Sequence, residues 1–595
     1  MYAYTEFDQS FIERRAAQFR DQLTRWQSGE LSEDEFKPLR LQNGWYVQRF
    51  APMLRVAVPY GVISARQLRV LAQIAREYDH KDLQQLDRSH AGLSDVDALP
   101  DHCAHFTTRQ NVQFNWIPLS KSADVMDLLA SVGLHGIQTS GNCIRNTTTD
   151  AFAGIAPDEL ADPRPFAELI RQWSTLHPEF AFLPRKFKVA ITGATEDRAA
   201  TRWHDVGLRL VADATDGLGF EVSVGGGMGR TPVIGTTIKA FVPAFDILDY
   251  LTAIIRVYNR WGRRDNLYKA RIKILVKAQG QAYIDEVDAE FASIQTVDGS
   301  PNRITPAQYA RVAKAFEAPA RDDGALPTAQ KMAEILAATE RDEQGFSNWL
   351  RQNVRAHKDP NLRAVTLSFK RVGFAPGDAN AAQLDAAAQL AETFSAGELR
   401  VTHTQNLVLP WVRCDALPAL WREAKALGLA KPNIGLFTDM IACPGGDFCS
   451  LANARSLPLA SAITERYQDL DELLDLGNID LHISGCINSC GHHHSGHIGI
   501  LGVDKDGQEW YQITLAGSDG ASTGGPATPG RVIGPAFAAD EVLGAIEAIL
   551  DTYSHLRNAG ESFIAATARL GHEPFKTAAN QTRLATARDP IASPA

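Results

Sequence analysis

An α+β fold that the chain builds twice is predicted by three observations: the order of its elements, the return of that order further on, and the identity of residues at matching places. The first block opens with a strand-like run, MLRVAVPYG (residues 53–61), followed by a helix with Ser64 as N-cap and Gln67 at the third position. Leu68, Leu71, Ile74 and Ala75 give that helix an apolar face. An alternating run, FTTRQNVQFNW (residues 106–116), predicts a strand, and a helix from about Ser122 to Val132 stops at Gly133. The same order returns in TLSFKRVGF (residues 366–374), a helix capped by Asn380 with Gln383, VTHTQNLVLPW (residues 401–411), and a helix stopped by Gly428. Thr107, Gln110, Asn111, Trp116 and Gly133 each have an identical residue 295 positions on, at Thr402, Gln405, Asn406, Trp411 and Gly428. The caps lie 316 apart, so the first copy holds 21 additional residues, expected as a polar surface insertion at about 80–101.

The repeat continues more weakly. GRTPVIG (residues 229–235) is matched by GRVIG (residues 530–534), and each precedes an apolar helix that ends in tyrosine, Tyr258 or Tyr553. A duplicated unit of this kind predicts a pseudo-twofold molecule with a cofactor-sized cleft between its copies. Residues 1–50 carry helical patches rich in Arg, Glu and Gln and are expected to wrap the core.

Composition narrows the function. The 595 residues are 45% hydrophobic and 22% charged, enough for a large core divided among several domains. A net charge of -10 gives no reason to expect nucleic acid or an anionic membrane as partner. The start, MYAYTEFDQSFIERR, lacks the apolar stretch of a secretory signal, and no apolar run reaches membrane-spanning length. Seven cysteines, too few and odd in number for a disulfide framework, point to a reduced cytoplasmic compartment.

Four of those cysteines stand in two tight pairs, Cys443 and Cys449 in ACPGGDFC and Cys486 and Cys490 in SGCINSCGHHHSGH. Structural zinc takes pairs at C-x2-4-C, whereas here C-x5-C is followed after 36 residues by C-x3-C, a wider frame that favours an iron-sulfur cube. Pro444, Gly445, Gly446, Gly485 and Gly491 would let main chain pass close to inorganic sulfide. The remaining cysteines, Cys103, Cys143 and Cys414, are expected as free thiols.

These residues resemble the signature of the sirohaem-dependent sulfite and nitrite reductases, with closest similarity to the haemoprotein subunit of assimilatory sulfite reductase. The resemblance extends from about residue 50 to 575 and implies the 4Fe-4S ligands Cys443, Cys449, Cys486 and Cys490, with Cys490 also bridging to the sirohaem iron. It implies two ferredoxin-like half-domains, at 51–135 and 346–429, packed together. Two larger α/β domains enclose the cofactors: a sirohaem-binding one at 136–294 and a 4Fe-4S and sirohaem one at 430–575. A connector at 295–345 and a tail at 576–595 complete the division.

A site that reduces a small oxyanion needs fixed cations to bind it and supply protons. Lys186 and Lys188 in LPRKFKVAITG fall on one face of an extended run, with Phe187 and Val189 on the other. The resemblance places the family's anion-binding arginines at Arg55 and Arg145 and its lysines at Lys186 and Lys188. It also assigns Arg109 in TTRQN to the cofactor's carboxylates, with Gln405 and Asn406 facing the same cavity by pseudo-symmetry. Lys269, Arg271 and Lys273 alternate along YKARIKILV as though on a strand, either in the same service or facing solvent. GGGMGR (residues 225–230) lacks the setting of a dinucleotide loop and is expected to approach the macrocycle. His492, His493, His494 and His497 are expected to hydrogen-bond around the cofactor or lie exposed.

The reading that follows is six-electron reduction of sulfite to sulfide, with Lys188 deciding for sulfite because the nitrite branch typically has asparagine there. Electrons would come from an external donor, a ferredoxin or a flavoprotein subunit using NADPH, since no flavin or nicotinamide signature is present. The alternatives are a nitrite reductase forming ammonia and a zinc-stabilised interaction protein without enzymatic activity.

Overall fold

The computed structural model describes residues 4–81, 99–320, 327–521 and 525–588, so most of the 80–101 insertion lies outside the described residues. Two five-stranded sheets form its centre, and each borrows a strand from the other copy. One runs Trp45–Val47, Pro52–Val56, Val112–Phe114, Cys103–Phe106 and then Asp378–Asn380. The other runs Val354–Ala356, Leu362–Leu367, Leu407–Arg413, Glu398–Val401 and then Val62–Ser64. The exchanged strands pair antiparallel, Asp378 opposite His105 and Glu398 opposite Ser64.

Each exchanged strand leads straight into a capped helix. Ser64 with Gln67 opens Ala65–Glu77, and Asn380 with Gln383 opens Ala381–Phe394; both are reciprocal capping boxes, worth about 1 kcal/mol each. The two helices pack together, and Leu68, Leu71, Leu384 and Leu390 sit at 0% exposure in one core shared by both copies. Phe19, Leu23 and Phe36, from the helices Glu6–Gln27 and Glu33–Gln42, enter that core.

The runs 106–116 and 401–411, expected as single strands, are each broken by a hairpin turn, at 107–111 and 402–406, before the strands Val112–Phe114 and Leu407–Arg413. Thr107 N donates to Asn111 O at 2.9 Å, and Thr402 N to Asn406 O at 3.0 Å. Gln110 and Gln405 hold left-handed backbone at φ 58° and 61° to close the turns. The polar turn simply continued the apolar alternation of its flanks.

Two mixed sheets carry the rest. Thr148–Thr149, Val189–Thr192 and Val206–Asp213 run parallel, then Gly217–Val224 and Thr236–Pro243 return antiparallel. Ile441–Ala442, Leu481–Ser484 and Ile498–Lys505 repeat the parallel trio, and Gln508–Leu515 and Arg531–Val532 the return. Each sheet has its own core and carries one of the two repeat helices, Ile247–Trp261 or Val542–Leu556. Their tyrosines act alike: Tyr258 Oη donates to Ala270 O and Tyr553 Oη to Glu561 O, both at 2.7 Å.

YKARIKILV is not a strand. Arg271 is the N-cap of helix Ile272–Gln279, whose Ile272, Leu275 and Val276 meet the core at helical spacing, and Lys269 is exposed. Of the tail expected at 576–595, residues 576–588 belong to the helix Glu573–Arg588, anchored on Val542–Leu556 by Phe575 and Ala579, and the rest lie outside the described residues. No helix among the described residues is long and apolar enough to cross a membrane.

Candidate active site and cluster loops

Neighbouring parallel strands end at one edge of a sheet, and this brings the two cysteine pairs together. Cys443 follows Ile441–Ala442, and Cys486 follows the adjacent Leu481–Ser484. The loops touch through glycines: a Cβ on Gly485 would stand 2.5 Å from Ala454 O and 2.7 Å from Gly445 Cα. Gly485 N, freed to approach, donates to Cys443 Sγ at 3.2 Å. The glycine pattern therefore serves loop-on-loop packing and a bond to the cysteine sulfur.

All seven cysteines are free thiols. Burial pushes Cys443 up to about 12 and Cys486 to about 11, with the nearby Cys490 sulfur raising both further. Cys449 is likewise raised by burial. Main-chain N–H groups pull the other way, from Gly485 and Gly445 on Cys443, Leu451 on Cys449 and Asn488 on Cys486. Such thiols stay protonated at neutral pH unless a metal centre ionises them, and the N–H donors are in place to receive the thiolates. Among the described residues no three His, Cys, Asp or Glu side chains converge on a single ion.

A group of cations without an acidic ion-pair partner among the described residues stands beside Cys490. Arg55 donates through Nη2 to Gln113 Oε1 at 3.0 Å. Arg145 reaches Thr139 O and Gly141 O at 2.7 Å, and Arg109 reaches Asn146 O at 2.7 Å and Thr148 Oγ1 at 3.1 Å. These partners are neutral, so the guanidinium charges remain. Lys186 and Lys188, half-buried, flank Phe187, which bridges to Ile144 in the extended lead-in to Val189–Thr192. Burial and then Arg145 lower Lys186 to about 8, with Cys490 close enough to oppose the shift. Burial, Arg109 and Lys186 push Lys188 well below the usual lysine range. Arg271 is paired, with Asp205 at 2.7 Å, and Lys273 donates to Met228 O and Thr231 O at 2.7 and 2.5 Å. The arrangement brings together Arg55, Arg109, Arg145, Lys186, Lys188 and Cys490, from both copies.

Gln405 and Asn406 are placed differently from the expectation. Gln405, 1% exposed, donates through Nε2 to Phe106 O and Ala442 O and accepts from Ala442 N, all at 3.0 Å. Asn406 accepts from Phe369 N at 3.0 Å and donates to Asp439 at 2.8 Å. Their amides lock main chain, as Gln110 does with Val401 O and Thr149 N, both at 3.0 Å. The histidine tract is not exposed either: His493 and His497 are buried, and His494 Nε2 lies 2.9 Å from Gly229 O. That contact, with Gly229 also close to the Ile487 carbonyl, sets GGGMGR against the second cysteine loop.

The family profile described as the nitrite and sulphite reductase 4Fe-4S domain matches residues 140–291 and 437–586. The nitrite/sulfite reductase ferredoxin-like half domain matches 48–84 and 365–427. The chain belongs to the nitrite and sulfite reductase family. Its cofactors are accordingly a 4Fe-4S cluster and a sirohaem. Sulfite reductase (ferredoxin) 1 of Mycolicibacterium paratuberculosis is 28% identical, over 88% of this chain and 83% of that protein. The chloroplastic ferredoxin–nitrite reductase of Arabidopsis thaliana is also 28% identical, over 77% and 68%. The solved Mycobacterium tuberculosis NirA protein shares the fold, with a TM-score of 0.69 at 24% identity and 92% coverage of both chains.

The residues fit the family's cofactors. Four thiols, three of them facing N–H donors, suit a cluster, and half-buried cations that depress one another suit a polycarboxylate macrocycle and an anionic substrate. Three neighbours have no counterpart in the sequence reading: Asp205, which anchors Arg271 and accepts from Lys188 N at 2.9 Å, and Tyr46 and Arg49. Tyr46 Oη donates to Thr139 O at 3.1 Å, and its ring lies 5.3 Å below the Arg55 guanidinium. GWYVQRF fell in the stretch expected only to wrap, and neither spacing nor periodicity marks it.

Proposed function

We propose that this chain is an assimilatory, cytoplasmic sulfite reductase that receives electrons from a ferredoxin and reduces sulfite to sulfide. The donor is supported by the relatives, named as ferredoxin-dependent for both substrates. Cys443, Cys449, Cys486 and Cys490 would hold the cluster, Cys490 would join it to the sirohaem iron, and Arg109 would bind the macrocycle's carboxylates. When bound, the two cofactors would relay to the anion, one at a time, the six electrons that the donor delivers.

The chain's own residues would bind the anion and move its protons. Arg55 and Arg145, held by neutral partners, are free to clamp oxygens by charge-assisted hydrogen bonds. Lys186, lowered to about 8, gives up a proton close to neutral pH more readily than an ordinary lysine. Lys188, held well below the usual lysine range by burial and by Arg109 and Lys186, would give a proton to a departing oxygen more readily than an ordinary lysine.

The observation that carries sulfite over nitrite is the second ammonium, Lys188 beside Lys186, among Arg109, Arg145 and Arg271. Sulfite carries between one and two charges near neutral pH and loses three oxygens, whereas nitrite carries one and loses two. Nitrite reduction to ammonia is the second reading, because relatives of both kinds match at 28% identity. The test is the ratio of kcat/KM for sulfite to that for nitrite in the parent and in Lys188→Asn, with sirohaem content measured in both. The parent should prefer sulfite, and the variant should lose roughly ten- to a hundredfold of that ratio, the value of one charge-assisted bond of about 1.5–3 kcal/mol. A ratio that does not move, or a parent that prefers nitrite, sinks the proposal.

A further inference from the structure

The N-terminal segment grips the loop that carries Cys449 from both sides. Arg49 N donates to Phe448 O at 3.2 Å, Arg49 Nη2 to Ala452 O at 3.3 Å, and Ser450 N to Gln48 Oε1 at 3.3 Å. Phe50 packs with Phe448, Trp116 and Leu99 beneath the same loop. These contacts hold a guanidinium that is only 8% exposed. Its Nε and Nη1 have no hydrogen-bond partner among the described residues, and no carboxylate there pairs with it. A buried cation left so costs several kcal/mol unless an anion meets it. The anion that belongs beside this loop is the cluster with its thiolates, whose negative charge grows when an electron is added.

We infer that Arg49 is the electrostatic partner of the 4Fe-4S cluster: its free N–H groups serve the cluster's sulfur, and its charge raises the cluster's reduction potential. The inference rests on the reading that Cys449 is a cluster ligand. Potentials of such clusters respond to net charge and to hydrogen bonds on sulfur, and a fixed cation favours the reduced, more negative state. Arg49 thereby makes the cluster easier to reduce without touching the substrate.

The experiment compares holoenzyme of the parent, Arg49→Gln and Arg49→Lys by potentiometric titration of the cluster, followed by electron paramagnetic resonance, with iron and acid-labile sulfide assayed in each. Arg49→Gln keeps a donor for the Ala452 carbonyl but no charge. At the parent's midpoint its ratio of reduced to oxidised cluster should fall about tenfold, which is ~59 mV for one electron. Arg49→Lys should titrate with the parent. A fully loaded Arg49→Gln at the parental midpoint overturns the inference, as does Arg49→Lys shifted as far as Arg49→Gln. If only Arg49→Gln fails to hold a cluster, the charge is required and the inference stands. If both fail, Arg49 is a brace for the loop and the inference falls. A parent without a 4Fe-4S cluster would instead overturn the ligand reading beneath it.

Discussion

Lys188 and Asp480 occupy the same place in the two copies. The carbonyl of Lys188 accepts from Val206 N at 3.1 Å and that of Asp480 from Ile498 N at 3.0 Å. Lys188 N donates to Asp205, and Asp480 N to His497 Nδ1 at 3.1 Å. Ala200 and His492 match as well, with left-handed φ of 50° and 56° and carbonyls that accept from Trp203 N and Ser495 N. That register sets Arg198 where the second copy has Cys490. The glutamine locks on Thr149 N and Ala442 N likewise set Asp150 where it has Cys443. Arg198 and Asp150 form an ion pair at 2.7 Å, with Asp150 at 2% exposure. One backbone frame therefore holds a pair of thiols in one copy and a buried salt bridge in the other. The unpaired cations lie on the first copy and the thiols on the second, so the proposed site needs both.

The comparison breaks most sharply at Cys490. Cys490→Ser should abolish turnover and decouple the sirohaem from the cluster in visible and resonance spectra, while leaving the fold intact by circular dichroism. A variant with full activity and coupled spectra would refute the bridging role. At the matching position the opposite outcome is expected. Arg198→Met should leave cluster chemistry in place but destabilise the fold by about 3 kcal/mol, the low end for orphaning a buried charge because Arg198 is partly exposed. Burial already raises the Asp150 carboxyl, and removing Arg198 raises it further above its unfolded value. A carboxyl raised in this way favours folding below its unfolded pKa and loses that contribution as pH rises through its folded pKa. The variant's deficit in urea unfolding should therefore shrink in acid. A deficit that grows in acid would show that the pair is not what holds Asp150.

Local signals in the sequence were the ones that survived folding. Ser64 with Gln67 and Asn380 with Gln383 read correctly because a capping box lies within four residues. The two cysteine pairs come together in the fold because their loops follow neighbouring parallel strands. The strand exchange of Val62–Ser64 and Asp378–Asn380 was not legible, since its partners are hundreds of residues away and any edge of similar pattern would serve. Arg271 and Lys273 misread because three alternating charges fit the first turn of a helix as easily as a strand. Gln405 was assigned to the cavity from its place in the repeat, but the repeat preserved it for a bond across the pseudo-twofold.

That bond yields the smallest and most discriminating test. Gln110 ties Val401 O and Thr149 N, and Gln405 ties Phe106 O, Ala442 O and Ala442 N, so alanine at either position leaves buried main-chain groups unpaired. Each change should cost about 1–3 kcal/mol in urea unfolding, and by near-equal amounts, because both sit in the same turn with the same left-handed backbone. Their consequences should differ. Thr149 leads to the Asp150 salt bridge, whereas Ala442 immediately precedes Cys443, whose sulfur also receives Gly485 N. Gln405→Ala should therefore lower iron and labile sulfide per chain, and Gln110→Ala should not. Equal loss of iron in both would mean that the copies are coupled through the shared core, and that the lock beside Cys443 has no special hold on the cluster.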